Sequence, residues 1–109
     1  MTRILCIEDE AALREDIVEE LNDAGYETFE AANGSIGYDA ILAHRPDLVL
    51  CDVNMPDMNG YELLTKLRET NEEFDDVPFV FLSALADRKD IIAGKKLGAD
   101  DYLTKPVDF

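Results

Sequence analysis

The chain has 109 residues, and its Asp and Glu residues outnumber Lys and Arg by 25 to 10, which gives a formal net charge of −15. This length suits about one domain, and so negative a surface repels phosphate backbones and anionic lipids, so direct nucleic-acid or membrane binding by this segment is not expected. Because the sequence has neither an apolar run of about 20 residues nor a basic-then-apolar leader, we expect a cytoplasmic protein.

Short apolar runs alternate with segments of helical period along the chain, which is typical of an α/β fold. Several runs are almost continuously apolar, as parallel strands covered on both faces must be. We predict five strands, at Ile4 to Ile7, Tyr26 to Ala31, Leu48 to Cys51, Phe79 to Leu82 and Asp101 to Leu103.

Helices are predicted between these strands, because right-handed crossovers must carry each helix across a face of a doubly wound sheet. Two of them have clear helical spacing of apolar residues, and two more, near residues 35 to 44 and 87 to 97, have weaker stripes. The residues that give the clear spacing are Leu13, Ile17, Leu21 and Ala24 before Gly25, and Leu63, Leu64 and Leu67 after Gly60.

Polar residues follow four of the predicted strands, and they are Glu8, Asp9, Asp52, Ser83 and Lys105. Ligands of doubly wound sheets bind beyond the carboxyl ends of the strands, so these five side chains are expected at one edge. By this interpretation Asp52, which follows the apolar run LVLC, is an edge residue and not a core residue.

Three carboxylates at one edge would repel one another and raise the pKa of at least one of them unless a cation holds them ionised. Oxygen ligands with positions left for water and phosphate suit Mg²⁺ better than Ca²⁺. Lys105 and Ser83 would add a positive charge and a hydroxyl donor, so the set describes a phosphoryl-transfer site with a carboxylate nucleophile.

Each of these residues also has a simpler interpretation when it is taken alone. Glu8 and Asp9 could cap the first helix, Asp52 could be a turn residue, and Ser83 could be an ordinary serine at a strand end. The placement of all of them at one edge favours the shared site. Cys6 and Cys51 lie within apolar runs and are expected to be buried thiols rather than a disulfide or metal pair.

Two other protein classes fit the same pattern of elements. A flavodoxin-like cofactor binder needs a cradle of small and hydroxyl residues after its first strand, where this chain has IEDEAALRED. An aspartate-nucleophile phosphatase usually has a second aspartate two residues after the nucleophile, and here that position is Asn54. Absence of bound flavin and of multiple-turnover phosphatase activity would exclude both.

The motifs together resemble the receiver domains of two-component response regulators, and the likeness extends over the whole chain, residues 1–109. The matching segments are ILCIEDE (4 to 10), LVLCDVNMPDMNGYELL (48 to 64), VFLSA (80 to 84) and GADDYLTKP (98 to 106). The resemblance implies a flavodoxin-like parallel sheet with the strand order 2-1-3-4-5.

The resemblance also implies a phosphorylation-dependent signalling switch rather than an enzyme, with intrinsic Mg²⁺-dependent self-phosphorylation and self-dephosphorylation. A sensor histidine kinase or phosphotransfer protein would supply the phosphoryl group, and a downstream output domain or protein would respond. The implied roles are phosphoacceptor for Asp52, direct Mg²⁺ ligand for Asp9, water-mediated ligand for Glu8, ligand through its backbone carbonyl for Asn54, switch hydroxyl for Ser83, phosphate contact for Lys105 and aromatic reporter of activation for Tyr102.

Further expectations concern three regions outside this site. Receivers normally continue into a fifth helix, whereas this chain ends at KPVDF, so we expect a natural protein that extends beyond Phe109. A form that ends here would leave one sheet face half covered and would self-associate, for example as a homodimer. His44 is expected near a helix C-terminus, and the acidic segment ETNEEFDD (69 to 76) is expected to be a solvated loop.

Overall fold

The computed structural model describes residues 1–83 and 101–104, with side chains described as far as Leu82. The chain forms a five-stranded parallel sheet with the order β2-β1-β3-β4-β5, so the predicted fold class and strand order are confirmed. The strands are β1 (Arg3–Ile7), β2 (Glu27–Ala31), β3 (Leu48–Asp52), β4 (Phe79–Ser83) and β5 (Asp101–Thr104). The predicted helix near 87 to 97, the expected fifth helix beyond Phe109 and Lys105 concern positions outside the described residues.

Three helices connect the strands within the described residues: α1 (Ala11–Asp23), α2 (Gly34–His44) and α3 (Gly60–Thr70). Asparagine side chains cap the N-termini of two of these helices. The Asn33 side chain accepts a hydrogen bond from the backbone N–H of Ile36 at 2.8 Å, and Asn59 forms a reciprocal capping box with Glu62. Such caps bind backbone N–H groups that have no partner within the helix.

The prediction of a solvated loop at residues 69 to 76 is wrong in part. Helix α3 continues to Thr70, and a short 3-10 helix follows at Glu72–Phe74. Phe74 is buried, and the Arg68 guanidinium donates hydrogen bonds to the backbone carbonyls of Phe74 and Val77. The charge pattern did not predict this helical turn, because a single buried aromatic residue can anchor an otherwise acidic segment.

The two faces of the sheet carry separate hydrophobic clusters. Helices α2 and α3 contribute Ile41, Leu63, Leu64 and Leu67 to the larger cluster. Helix α1 contributes Ile17 and Leu21 to the smaller one, which also contains Ile4, Cys6, Leu50 and Leu82. Alternate residues of one strand point to opposite faces, so Cys51 belongs to the larger cluster while Leu50 belongs to the smaller.

The cysteine prediction is confirmed, because Cys6 and Cys51 are free and buried. His44 is the last residue of α2, as predicted, and its ring stacks on Phe29 with the centroids 4.1 Å apart. Among the residues that the structure describes, no helix has the length and apolar character required to cross a bilayer.

Candidate functional site

The register of the parallel strands brings the acidic residues to the same edge. Ile7, the last residue of β1, pairs with Cys51 of β3. Glu8 follows Ile7 and Asp52 follows Cys51, so the two carboxylates project from adjacent strands at the same level. Asp52 is the last residue of β3, which confirms its place at the carboxyl edge.

Glu8, Asp9 and Asp52 form one cluster, because each contributes a carboxylate oxygen and these atoms all lie within 4.8 Å of one another. Asp9 is exposed, whereas Glu8 has 0% and Asp52 has 4% of its surface accessible. The sequence did not predict this burial, since it placed Asp52 at the edge and outside the core. Buried charges of one sign repel strongly, and a cation among them would offset that repulsion.

The turn between β1 and α1 holds Glu8 in place through its backbone and its side chain. The Glu8 N–H donates to the carbonyl of Ala31 at 3.0 Å, and Glu8 Oε2 accepts from the N–H of Glu10 at 3.1 Å. Glu10 is the N-cap residue of α1, and its own side chain makes no capping hydrogen bond. Glu8 therefore orders the turn before α1, whose N-cap residue is Glu10 and not Glu8 or Asp9, and it also belongs to the carboxylate cluster.

The loop from Val53 to Asn59 begins directly after Asp52 and contains Asn54, which is exposed. Its start is fixed to the sheet, because the Val53 N–H donates to the carbonyl of Leu82 at 3.1 Å, and the Gly60 N–H donates to the carbonyl of Val53 at 2.9 Å. Gly60 is required for this closure, since a β-carbon there would lie 2.5 Å from the Asp52 carbonyl oxygen.

The donor set fits Mg²⁺, which prefers carboxylate and carbonyl oxygens and keeps several waters. The cluster offers oxygen ligands from Glu8, Asp9 and Asp52, with Asp9 on the solvent side. The neighbouring thiol of Cys51 is not a competing ligand, because burial, and secondarily the charge of Asp52, raises its pKa well above the ordinary value.

The remaining predicted residues are located only in part. Ser83 is the last residue of β4 and pairs with Thr104, while Tyr102 of β5 pairs with Phe81. Both therefore belong to the strands on the far side of Asp52 from Glu8. Their side chains, and all of Lys105, lie outside what the structure describes.

Sequence reasoning missed one residue at this site, Arg14. Its guanidinium donates from Nη1 to the backbone carbonyl of Glu8 at 2.8 Å. The sequence did offer a signal, since Arg14 is the single basic residue between Asp9 and Glu30. Its contact could not be read from spacing alone, because it joins a helix side chain to a backbone atom of the preceding turn.

Comparisons with known proteins agree with this geometry. Residues 4–109 match the family model described as the response regulator receiver domain. The chain is 41% identical over 103 residues to the phosphate regulon transcriptional regulatory protein PhoB of Pseudomonas aeruginosa, covering 94% of this chain and 44% of that protein. It is 38% identical over 108 residues to the DNA-binding dual master transcriptional regulator RpaA of Synechocystis, covering 99% of this chain and 44% of RpaA.

A solved structure of the chemotaxis protein CheY4 of Vibrio cholerae superposes with a TM-score of 0.94 at 30% identity, covering 99% of this chain and 89% of that one. The chain thus spans less than half the length of the curated relatives named here and most of the length of CheY4. Family model, sequence relatives and fold all agree, and the chain belongs to the response regulator receiver domain family.

Proposed function

We propose that this chain is a phosphorylation-dependent switch in which Asp52 accepts a phosphoryl group from a phosphohistidine of a sensor histidine kinase or phosphotransfer protein. The observation that carries the proposal is the convergence of the Glu8, Asp9 and Asp52 carboxylates within 4.8 Å at the carboxyl edge of the sheet. Membership of the receiver family supports the signalling role.

The chemistry requires Asp52 to act as the nucleophile. A carboxylate oxygen of Asp52 forms a bond to phosphorus while the bond from phosphorus to the imidazole nitrogen breaks, and that nitrogen keeps the electron pair and takes a proton from solvent. Water later attacks the acyl phosphate and releases phosphate, which regenerates the Asp52 carboxylate. Protein contributions to phosphoryl transfer are mainly positioning and charge stabilisation.

Magnesium, when bound, would neutralise the negative charge that builds up on the phosphoryl oxygens. Asp9, Asp52 and the Asn54 carbonyl are proposed as direct ligands, and Glu8 as a ligand through water. The exposure of Asp9 supports its role, because a metal that keeps several waters must remain accessible to solvent. Glu8 also orders the turn through the N–H of Glu10.

Three further residues complete the proposal through the family pattern. Lys105 contacts the phosphoryl oxygens as a point charge. Ser83 is the hydroxyl that responds to the phosphoryl group, and Tyr102 changes its position with activation. Their place on β4, on β5 and directly after β5 supports this, since the carboxyl ends of those strands are next to that of β3.

The phosphorylated chain is proposed to act on an output domain or protein. PhoB and RpaA bear the names of transcriptional regulators, and CheY4 that of a chemotaxis protein, so the output class differs among relatives. The net charge of −15 argues that this segment does not itself bind DNA.

The proposal is tested by incubating the chain with Mg²⁺ and acetyl phosphate, followed by intact mass measurement and peptide mapping. We expect one alkali-labile phosphoryl adduct, which Asp52→Asn and Asp52→Ala abolish because an acyl phosphate needs that carboxylate. Asp57→Asn is the matched control, since Asp57 is an exposed aspartate of the same loop. An undiminished adduct in either Asp52 variant contradicts the assignment.

The metal roles have a separate test. Asp9→Asn is expected to weaken Mg²⁺ binding more than Glu8→Gln does, because losing a direct ligand removes more binding energy than losing a water-mediated contact. Calorimetric titration of both variants measures the two dissociation constants. Equal constants, or a larger loss in Glu8→Gln, would reverse the roles assigned to the two carboxylates.

A further inference from the structure

The side chain of Arg14 reaches back from α1 to the turn that carries the acidic pair. Nη1 donates to the backbone carbonyl of Glu8 at 2.8 Å, and Nε donates to Oε1 of Glu30 at 3.0 Å. The side chain of Arg14 is only 16% exposed, whereas that of Glu30 is 47% exposed. The guanidinium is therefore mostly buried against the turn, and Glu30 of β2 binds it from the other side.

Glu30 and its neighbour Ala31 attach the acidic turn to the end of β2 by two routes. The Ala31 carbonyl accepts from the N–H of Glu8 at 3.0 Å, and Glu30 anchors the guanidinium that binds the carbonyl of Glu8. Both polar groups of the Glu8 backbone unit are thus fixed to β2, one directly and one through Arg14. The position of Glu8, and of Asp9 after it, depends on both routes.

An arginine suits this position for a geometric reason. Its planar guanidinium presents several N–H groups in a fixed fork, so one side chain can bind a carbonyl and a carboxylate lying in different directions. Lysine carries the same charge but lacks that fork. Arg14→Lys therefore separates the effect of geometry from the effect of charge.

The charge alone would act against the site. A guanidinium beside a divalent cation repels it, so a role limited to electrostatics predicts tighter Mg²⁺ binding once Arg14 is neutralised. A role in holding the turn predicts weaker Mg²⁺ binding in the same variant, because carboxylates whose positions vary lose the geometry that Mg²⁺ demands. The two explanations differ in the sign of the effect.

We propose that Arg14 and Glu30 form a positioning clamp that holds the Glu8–Asp9 turn within reach of Asp52 and so sets the affinity of the site for Mg²⁺. The proposal rests on the function proposed above, since it concerns the same metal site. Arg14 is a positioning residue in this scheme, because it acts through the Glu8 backbone and contacts neither metal nor phosphoryl group.

The test compares Arg14→Met, Arg14→Lys and Glu30→Gln with the wild-type chain by calorimetric titration of Mg²⁺. Both Arg14 variants are expected to weaken binding about 10-fold, in the range seen when groups that support metal ligands are removed. Glu30→Gln keeps a carbonyl acceptor for Nε and is expected to lose less. An unchanged or tighter dissociation constant in Arg14→Lys overturns the clamp.

Arg45→Met is the matched charge control, because it also removes one positive charge but lies at the C-terminal end of α2, at the opposite edge of the sheet. Its pairing with Glu73, at 3.8 Å, is exposed on both sides, so its Mg²⁺ affinity is expected to equal or slightly exceed that of the wild type. Weakening equal to that of Arg14→Met would overturn the clamp, since the loss of affinity would then not depend on contact with the Glu8–Asp9 turn.

Phosphorylation kinetics provide a readout that a general loss of stability would not mimic. At saturating Mg²⁺ the Arg14 variants are expected to form the Asp52 adduct at close to the wild-type rate, while the Mg²⁺ concentration giving half that rate rises about 10-fold. A reduced maximal rate with an unchanged half-saturating concentration overturns the clamp. If Arg14→Met does not fold, Arg14→Lys and Glu30→Gln decide.

Failure of the clamp and failure of the proposed function give different results. A wild-type chain that binds no Mg²⁺ and forms no adduct overturns both. A wild-type chain that binds Mg²⁺ and forms the adduct on Asp52, beside an Arg14→Lys variant of equal affinity, overturns only the clamp.

Discussion

The two faces of the sheet are packed by different means. On the face covered by α2 and α3 the buried cluster contains Phe74, Phe79 and Phe81, and the ring of Phe81 lies 4.9 Å from that of Tyr61 and 5.4 Å from that of Phe79, centroid to centroid. Among the described residues, the cluster under α1 has aliphatic side chains and one cysteine but no aromatic ring. Aromatic side chains bury more surface each, so we expect the first face to have the denser core.

The edge strand β2 shows the same contrast. Toward α2 it presents Phe29, which stacks on His44. Toward α1 it presents polar residues, and these bind α1 through the hydrogen bonds of Thr28 with Asn22 and of Glu30 with Arg14. Apolar packing therefore supports the loop that follows Asp52, whereas polar pairs contact the turn that carries Glu8 and Asp9. The position of the turn that carries Glu8 and Asp9 should therefore depend on salt concentration, because salt screens exposed ion pairs.

The largest expected effect comes from comparing one leucine on each face. Leu63 of α3 is 0% exposed and Leu21 of α1 is 5% exposed, so Leu63→Ala and Leu21→Ala remove the same atoms from two buried sites. We expect Leu63→Ala to lower the free energy of unfolding by about 4 kcal/mol and Leu21→Ala by about 2.5, because the cost depends on how far the surroundings can close the cavity.

Urea denaturation of both variants and of the wild type measures this difference directly. The cluster that contains Leu63 also contains the rings of Phe74, Phe79 and Phe81, whereas the cluster that contains Leu21 is packed against side chains such as Leu13 and Val18 that are only partly buried and can move inward. Equal losses, or a larger loss in Leu21→Ala, would contradict the idea that the α2 and α3 face has the denser core.

The next effect compares two glycines. A β-carbon at Gly60 would lie 2.5 Å from the Asp52 carbonyl oxygen and 2.8 Å from the Phe81 ring, whereas one at Gly25, whose φ is +96°, would meet nothing within 4 Å. Gly60→Ala is expected to lower the free energy of unfolding by about 3 kcal/mol through overpacking. Gly25→Ala should lower it by about 1 kcal/mol through backbone strain alone.

Gly60→Ala also tests how tightly the loop is packed against Asp52, the proposed phosphoacceptor. Since the clash involves the backbone of Asp52, we expect slower adduct formation in Gly60→Ala and an unchanged rate in Gly25→Ala. Thermal melts and the acetyl phosphate assay report the two quantities separately. A Gly60→Ala chain as stable and as reactive as the wild type would show that the loop adapts freely.

The sequence predicted the strands well because a parallel sheet buried on both faces imposes an apolar run on inner strands such as β1, β3 and β4, although the edge strand β2 is mixed. Every predicted strand was found, with ends that differ by one residue, such as Asp52 joining β3. The carboxylate cluster followed from the parallel direction of the strands, since the carboxyl ends of parallel strands meet at one edge. These features depend on periodicity, which is local in sequence.

The features that the sequence could not predict depend on contacts between residues that are distant in sequence. The burial of Phe74 arises from its packing in the larger cluster, and its acidic neighbours gave the opposite signal. The clamp of Arg14 needs the end of β2 to lie beside the turn after β1, which only the folded sheet provides. The burial of Glu8 has the same origin, because a residue after a strand can be exposed or buried according to what covers it.

The smallest expected effect concerns Cys51, whose thiol is on the denser face and is 0% exposed. Burial, and then the charge of Asp52, raises the pKa of this thiol well above its ordinary value. The unfolded chain ionises near the ordinary cysteine pKa of about 8.5, so above that pH the unfolded state loses a proton that the folded state keeps. The raised folded pKa therefore costs nothing well below about pH 8.5, and it lowers the stability of the fold progressively as the pH rises above that value.

One pH unit above the ordinary cysteine pKa, this ionisation should lower the free energy of unfolding by about 1.4 kcal/mol, and Cys51→Ala should remove that part of the pH dependence. The variant has a lower stability at neutral pH because it leaves a small cavity, so the slope between pH 7.5 and 9.5 is the quantity to compare, and not the absolute value. Urea denaturation across this range measures the slope. Parallel profiles for Cys51→Ala and the wild type would mean that the thiol ionises as readily in the folded chain as in the unfolded one, and the face covered by α2 and α3 would then be open to water at Cys51.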